Sequence, residues 1–360
     1  MQPWSLKNAL LAEIHEQGVL NLQRKLHRLH TQAPHRTYRE LLEEHLDPNL
    51  ASKGEKQAAI CQEQGIHPIC LFDPEYPKML VQIPDPPVIL FTRGDPRILH
   101  RPCISIVGSR MTTSYGRQIT KQLAGELAKT GFTIVSGLAL GVDACGHTAA
   151  LETGGRTAGV LGSGVDQIYP REHHNLANQM IESGGLILSE MEPGAPPKPF
   201  HFPIRNRIIS GLSHATLVVE AKEKSGSLIT ARHCLDQGRE LFAVPGPIHQ
   251  QTSRGTNGLI QSGEARLVLS TADIVAELRP LLGMAADHGQ VIRSGIKDPV
   301  TRLIYDQLDA FEPVPLDLII SQSGVDTGTV MAKLVDLESQ NLVERLPGQR
   351  FLRNPLVEAV

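Results

Sequence analysis

"CISIVGSRMTTSYGRQITKQLAGELAKTG", residues 103–131, is the stretch on which the fold turns. CISIVG is apolar throughout, which marks a strand with no solvent face. It runs into Gly108, Ser109 and Arg110 and a cluster of hydroxyls. The helical pattern YGRQITKQLAGELAKTG follows and closes at Gly131. A helix that starts after a glycine turn offers free N–H groups and the positive end of its dipole. Arg110 adds a planar fork suited to phosphate oxygens, and Thr112, Thr113 and Ser114 add hydroxyl donors. The stretch therefore predicts a strand, an anion-holding turn and a helix.

The alternation continues downstream. FTIVSG, TAGVLGSG, LILSE, ATLVVEA, ELFAVPG and RLVLS read as strands, with GVDACGHTAALETGG, HHNLANQMIESGG, RNRIISGLS, LITARHCLDQGR and NGLIQSGEA as helices between them. Apolar strands alternating with helices predict a parallel sheet covered on both faces, a doubly wound α/β Rossmann-like domain over 103–278. Its ligands are expected beyond the carboxyl ends of the strands, where the turns at 108–110, 136–141, 162–164, 225–227 and 245–247 line one rim.

Outward from this domain, residues 1–70 read as short helices, LKNALLAEIHEQG, NLQRKLHRLHTQ, TYRELLEEHL and NLASKGEKQAAICQEQG, punctuated by Gly18 and Pro34. Residues 71–102 are proline-rich and read as a connector packed on the core, with VILFTRGD as a strand and turn. Residues 279–297 read as a linker. Residues 298–360 show three helices and a hairpin turning at Pro347-Gly348, the winged-helix arrangement.

Composition excludes several classes. There is no run of about 20 apolar residues, so no membrane span is expected. No basic-then-apolar leader opens the chain. The five cysteines form no C-x-x-C pair, which gives no zinc or disulfide frame and suits the reducing cytoplasm. The net charge of −3 is uneven: 16 basic against 14 acidic residues over 101–275, but 6 against 10 over 297–360. A polyanion should prefer the middle of the chain. The third helix of the tail carries Asp326, Lys333, Asp336 and Glu338, too acidic to read phosphate as such helices normally do. A protein-contact or structural role is expected there.

Two further stretches carry chemistry. KPFHFPIRNRIISGLS (198–213) crowds Lys198, His201, Arg205 and Arg207 around Phe200 and Phe202, and Asn206 separates the arginines. Cations hold phosphates and aromatic faces stack on unpaired bases, so the combination favours single strands. Arg205 and Arg207, two apart on a helix, cannot share one face; one is expected to meet ligand and the other an acidic group. In EAKEKSGSLITAR, Ser225, Gly226 and Ser227 form a second donor-rich turn before a helix. The dinucleotide fingerprint and the Walker pattern are absent, so no cofactor is expected, and no metal spacing or nucleophile elbow occurs. Asp143 is expected to support a loop or cap a helix.

YPKMLVQIPDPPVILFTRGD, SIVGSRMTTSYG, VSGLALGVDACGHTAAL, GVLGSGVDQIYPREHHNL, FPIRNRIISGLS, SGSLITA and FAVPGPI, in this order, resemble the DprA (Smf) family of DNA-processing proteins. The resemblance implies a Rossmann-like domain that binds single-stranded DNA, protects incoming DNA in natural transformation, loads the recombinase RecA, forms a dimer and is not an enzyme. It also implies a DNA contact by the arginine of the G-S-R turn, here Arg110, and by a lysine and a phenylalanine before R-N-R, matched by Lys198 and Phe202. The N-terminal helices resemble the family's SAM-like or helix-hairpin-helix module. The expected DNA-binding set is Gly108, Ser109, Arg110, Lys198, Phe202, Arg205, Asn206, Arg207, Ser225, Gly226 and Ser227. Two alternatives stand beside it on the same fold: a phosphoribohydrolase-like enzyme and a small-nucleotide sensor.

Overall fold

The computed structural model describes residues 3–33, 35–47, 50–279, 296, 298–308, 313–340 and 342–353. The chain divides into two compact units, residues 1–278 and 279–360.

The first unit opens with helices α1 (Pro3–Gln17), α2 (Val19–Gln32), α3 (Tyr38–His45) and α4 (Ala51–Glu63). Gly18, at φ +80°, lets α2 start directly after α1. A capping box opens α3: Thr37 Oγ accepts from the Glu40 amide and Glu40 accepts from the Thr37 amide, at 3.2 and 2.7 Å. Leu6, Leu10, Leu22, Leu26, Leu41 and Leu42 are buried between these helices. Helix α4 crosses α1 at Gly54, where any side chain would strike the backbone of Asn8.

One nine-stranded sheet carries the rest of this unit. Its strands are β1 (His67–Cys70), β2 (Ile89–Gly94), β3 (Cys103–Val107), β4 (Thr133–Ser136), β5 (Thr157–Leu161), β6 (Leu186–Ser189), β7 (Ala215–Val218), β8 (Glu240–Ala243) and β9 (Arg266–Leu267). They lie in the order β1-β2-β6-β5-β4-β3-β7-β8-β9, and β3 to β9 are parallel. Strands β3 to β7 are buried at every position, as apolar runs between two helical layers must be. Helices α6 (Ser114–Lys129), α7 (Val142–Glu152), α8 (His174–Glu182), α9 (His201–Gly211) and α10 (Gly226–Asp236) supply the crossovers, after the single-turn α5 (Lys78–Val81).

The segment 71–102 is more than a connector. Its residues 89–94 form β2, which pairs antiparallel with both β1 and β6 and extends the sheet by two strands. Pairing between positions nearly a hundred residues apart leaves no local trace in the sequence. The strand order reverses between β3 and β7, which stay parallel, and such a switch point is where doubly wound proteins open a ligand crevice.

One buried group makes stability sensitive to acid. His147 on α7 is fully buried, with Nδ1 2.6 Å from Thr157 Oγ1. That hydroxyl already donates to the Ile134 carbonyl, so Nδ1 carries the proton and Nε2 is a buried acceptor with no partner among the described residues. Burial pushes the imidazole down to about 3. Below the unfolded value of about 6.5, the unfolded chain binds a proton that the native state refuses, so stability falls as pH drops from there towards 3. Urea midpoints between pH 7 and 4 should fall steadily in the parent and fall less in His147→Gln. Parallel pH curves for the two proteins would remove His147 as the cause.

The second unit, in its described residues, has helices Pro299–Asp306, Leu316–Ser323 and Thr327–Ser339 and an antiparallel sheet. In that sheet Arg350–Arg353 lies between Val314–Pro315 and Val343–Leu346. Ile304, Tyr305, Ile319, Val330, Leu334, Leu337 and Phe351 form its core. This is the winged-helix arrangement, with a short strand added after the first helix. On its third helix Lys333 is paired with Asp298 at 3.1 Å, so the lone cation of that helix is engaged. Nearly all of the expected linker, 279–297, and the last seven residues lie outside the described residues.

Candidate nucleic-acid interface

The turns after β3, β4, β5, β7 and β8 all leave the carboxyl ends of parallel strands and so share one rim. Gly108 sits where a Cβ would meet Val142 Cγ2 at 2.6 Å. Ser109 is buried; its Oγ accepts from the Met111 amide at 3.1 Å and its carbonyl accepts from the Val142 amide at 3.2 Å. These contacts hold the turn, and Arg110 projects from it into solvent.

The anion site predicted at the start of α6 is already occupied. Glu220, just after β7 and 1% exposed, places its carboxylate there. It accepts from Thr112 Oγ1 and Thr113 Oγ1 at 2.6 Å each and from the Thr113 amide at 2.9 Å. An internal carboxylate thus satisfies the helix start beside the switch point between β3 and β7. The hydroxyls of Thr112 and Thr113 are bound to protein, and Gly108 and Ser109 shape the turn. A phosphate at this turn is left with the Arg110 side chain.

Beside Arg110 lies Phe202, at the start of α9. Its ring rests on Gly162, where a Cβ would meet Phe202 Cδ1 at 3.1 Å. The Arg110 guanidinium carbon is 5.8 Å from the ring centroid and that of Arg205 is 5.9 Å away. The ring of Tyr169 is 5.7 Å away, tilted by 43°, and 44% of Tyr169 is exposed. Lys198 and Phe200 lie exposed at the entry to the same helix, with Nζ 5.9 Å from the Phe200 centroid.

Arg205 and Arg207, expected among the DNA contacts, have buried guanidinium groups held by protein acceptors. Arg205 donates to the carbonyls of Gly137, at 2.9 Å, and Val160. Burial lowers its pKa to about 10, and Asp143 opposes that shift. Asp143 in turn accepts from the amides of Gly137 and Ala139 at 3.1 and 3.3 Å. Burial raises the Asp143 pKa against the pull of Arg205. The loop 137–141 is thereby gripped through its amides and its carbonyl, with Leu138 forced to φ +56°. Arg207 binds both oxygens of Glu190, at 3.0 and 2.6 Å, and reaches Asp85 at 3.2 Å. Both guanidinium groups are taken up by protein acceptors.

The second donor-rich turn is also closed on itself. Ser225 caps α10 through the Ser227 amide, the two hydroxyls lie 2.7 Å apart, and Ser227 is buried. Asn206 Nδ2 donates to the Gly226 carbonyl at 3.4 Å, which links this turn to α9. Gly226 itself is exposed, between the exposed Lys222 and Lys224 and the helix.

The structure therefore brings Arg110, Phe202 and Arg205 into one cluster, sets Lys198 near Phe200, places Asn206 against the neighbouring turn and sends Arg207 inward. Sequence reasoning missed Tyr169 and Glu220. The signal for Tyr169 was a lone aromatic in the turn block GVDQIYPREHH. For Glu220 there was none, because its partners lie 107 and 108 residues away. Among the described residues no group of three His, Cys, Asp or Glu side chains could hold a metal ion. No helix there is long and apolar enough to cross a membrane.

A doubly wound domain with a cationic, aromatic strand-end rim, joined in one chain to a winged helix, defines a two-part Rossmann-like and winged-helix protein. Residues 67–279 match the family described as DNA recombination-mediator protein A, and residues 294–349 match the DprA winged helix domain. The chain belongs to the DprA/Smf family. It is 47% identical over 221 residues to the DNA processing protein DprA of Bacillus subtilis, covering 61% of this chain and 74% of that protein. The X-ray structure of DprA from Streptococcus pneumoniae aligns with a TM-score of 0.58 at 35% identity, over 76% of this chain and 96% of that one. A structure of DNA processing protein A from Helicobacter pylori, which concerns its single-stranded DNA binding mode, aligns with a TM-score of 0.54 at 35% identity, over 60% of this chain and 96% of that one.

Proposed function

We propose that this chain binds single-stranded DNA along the strand-end rim and acts as a recombination mediator. In this reading it protects incoming DNA in transformation and loads RecA, without catalysis, in the cytoplasm. The observation that carries the reading is the exposed Arg110 guanidinium 5.8 Å from a half-buried Phe202 ring that also packs on an exposed Tyr169. A cation with stacking faces fits a strand whose bases are unpaired; duplex bases already stack on each other. The kinship with the Helicobacter pylori protein, whose single-stranded DNA binding mode is described, supports the same reading. At the rim, Asp143 and Glu220 are engaged by backbone amides and hydroxyls, which disfavours a role for them in the enzyme or the small-nucleotide sensor. Self-association is part of the proposal, and the exposure of Ile248, Leu267 and Leu269, by 77, 45 and 77%, is compatible with it.

Gel shifts with single- and double-stranded oligonucleotides over a salt series test it. Single strands of mixed sequence should bind more tightly than duplex, with log affinity falling by about 0.7 per phosphate neutralised for each log unit of salt. Competition by mononucleotides, or release of free base from them, would move the assignment to the sensor or the enzyme. Faster nucleation of recombinase filaments in the presence of the protein is the measure of loading.

A further inference from the structure

From Gln17 to Arg39 the chain contains no acidic residue. This stretch includes all of α2, VLNLQRKLHRLHTQ. Val19, Leu22, Gln23 and Leu26 bury one face of the helix, while Arg24, Lys25 and Arg28 are exposed. Arg28 follows Arg24 by four residues and Lys25 by three, so the three cations meet on one patch of helix surface.

None of the three has an ion-pair partner among the described residues, although the neighbouring helices are rich in acid. Each of those carboxylates is taken elsewhere. Glu13 accepts from Gln17, Glu16 pairs with Lys53, Glu40 caps Thr37, Glu43 pairs with Arg39 and Glu44 with Arg36. Among the described side chains of α1 to α3 no large apolar one is exposed. His30 packs edge-on against the ring of Tyr38, and His27 Nδ1 lies 3.7 Å from Asp85.

We propose that the Arg24–Lys25–Arg28 face of α2 is a second nucleic-acid contact, which takes the phosphate backbone alone. It differs from the rim in kind: the rim offers a cation with rings, and α2 offers cations only. Naming the polyanion as nucleic acid rests on the proposed function of the rim. The backbone is supplied either by a longer single strand or by a flanking duplex, whose phosphates present the same chemistry.

The test uses the full chain with Arg24→Gln, Lys25→Gln and Arg28→Gln together, substitutions that keep helix propensity. Affinity is measured for oligothymidylates of increasing length and for a hairpin with a single-stranded tail, each over a salt series. The shortest oligomer that saturates the rim should bind parent and variant alike. Longer strands, or the tailed hairpin, should bind the variant about tenfold more weakly near 0.1 M salt, with the salt slope reduced by about 2. Which substrate shows the loss identifies the source of the backbone. Arg24→Lys with Arg28→Lys should retain parental binding. Identical affinity and slope for parent and triple variant on every substrate would overturn the proposal. So would an equal loss on the shortest oligomer, or a loss seen only with anionic vesicles or an acidic peptide. Failure of the rim reading shows separately, as weak binding of the shortest oligomer by the parent, and leaves the hairpin comparison readable.

Discussion

Arg207→Ala should destabilise the first unit by about 3–5 kcal/mol, read as a fall in the urea midpoint. Glu190 is 1% exposed, and both of its oxygens are held by this one guanidinium. Removing the arginine leaves a carboxylate in the interior with neither water nor partner, and that uncompensated charge dominates the cost. The consequence spreads because Arg207 also binds Asp85, which accepts from Gln23 of α2 at 2.6 Å. The Gln23 amide completes the clasp: it donates to the Pro86 carbonyl and accepts from the Val88 amide, both at 2.9 Å. One side chain thus ties α9, the end of β6, the segment before β2 and the N-terminal helices together. Total stabilities are about 5–15 kcal/mol, so the loss is a large share. Arg207→Met combined with Glu190→Leu removes both charges and should recover most of the midpoint. Arg207→Lys keeps the charge but loses the two-pronged geometry and should fall between. Folded Arg207→Ala should bind single strands as the parent does. A parental midpoint with lost binding would instead make Arg207 a DNA contact.

The contrast between the two arginines of R-N-R shows what a sequence can and cannot disclose. Two residues apart on a helix means about 200° of rotation, so divergence of Arg205 and Arg207 was legible from spacing alone. That one of the two meets an acidic group was expected on the same ground; that it is Arg207 is a property of the fold. That Arg205 is buried as well was not, because its acceptors are backbone carbonyls at the ends of β4 and β5, and carbonyls carry no side-chain signature. The same limit hid Glu220. A strand-turn-helix with a glycine reads as an anion site whichever anion fills it, and here the protein supplies its own from 107 residues away. The doubly wound sheet was legible because wholly apolar strands between amphipathic helices fit few other arrangements. The antiparallel extension through β2 was not, since a strand's neighbours are set by long-range packing. Arg110 and Phe202 were legible because a cation and a ring near turns have a chemistry of their own; their mutual distance is a property of the fold.

That distance makes the paired substitutions at the rim separable. Phe202→Ala should weaken single-strand binding by about 1–3 kcal/mol, the worth of one stacked base, with the salt slope unchanged because no charge is removed. Arg110→Ala should weaken it by about 1.5–3 kcal/mol, as lost charge-assisted bonds to phosphate do, and should reduce the slope by about 0.7. Neither change threatens the fold, since Arg110 is exposed and Phe202 is half-buried over a glycine. The two effects should not add. The Arg110 guanidinium lies 5.8 Å from the ring centroid, so losing the ring also releases the cation, and the double variant should lose less than the sum of the singles. Tyr169→Ala provides the control for orientation. If Tyr169 only holds Phe202 in place, its removal adds nothing to Phe202→Ala. If it stacks a base of its own, the losses accumulate. Parental affinity in both Arg110→Ala and Phe202→Ala would place the strand elsewhere, because no other exposed cation among the described residues lies over the Phe202 ring.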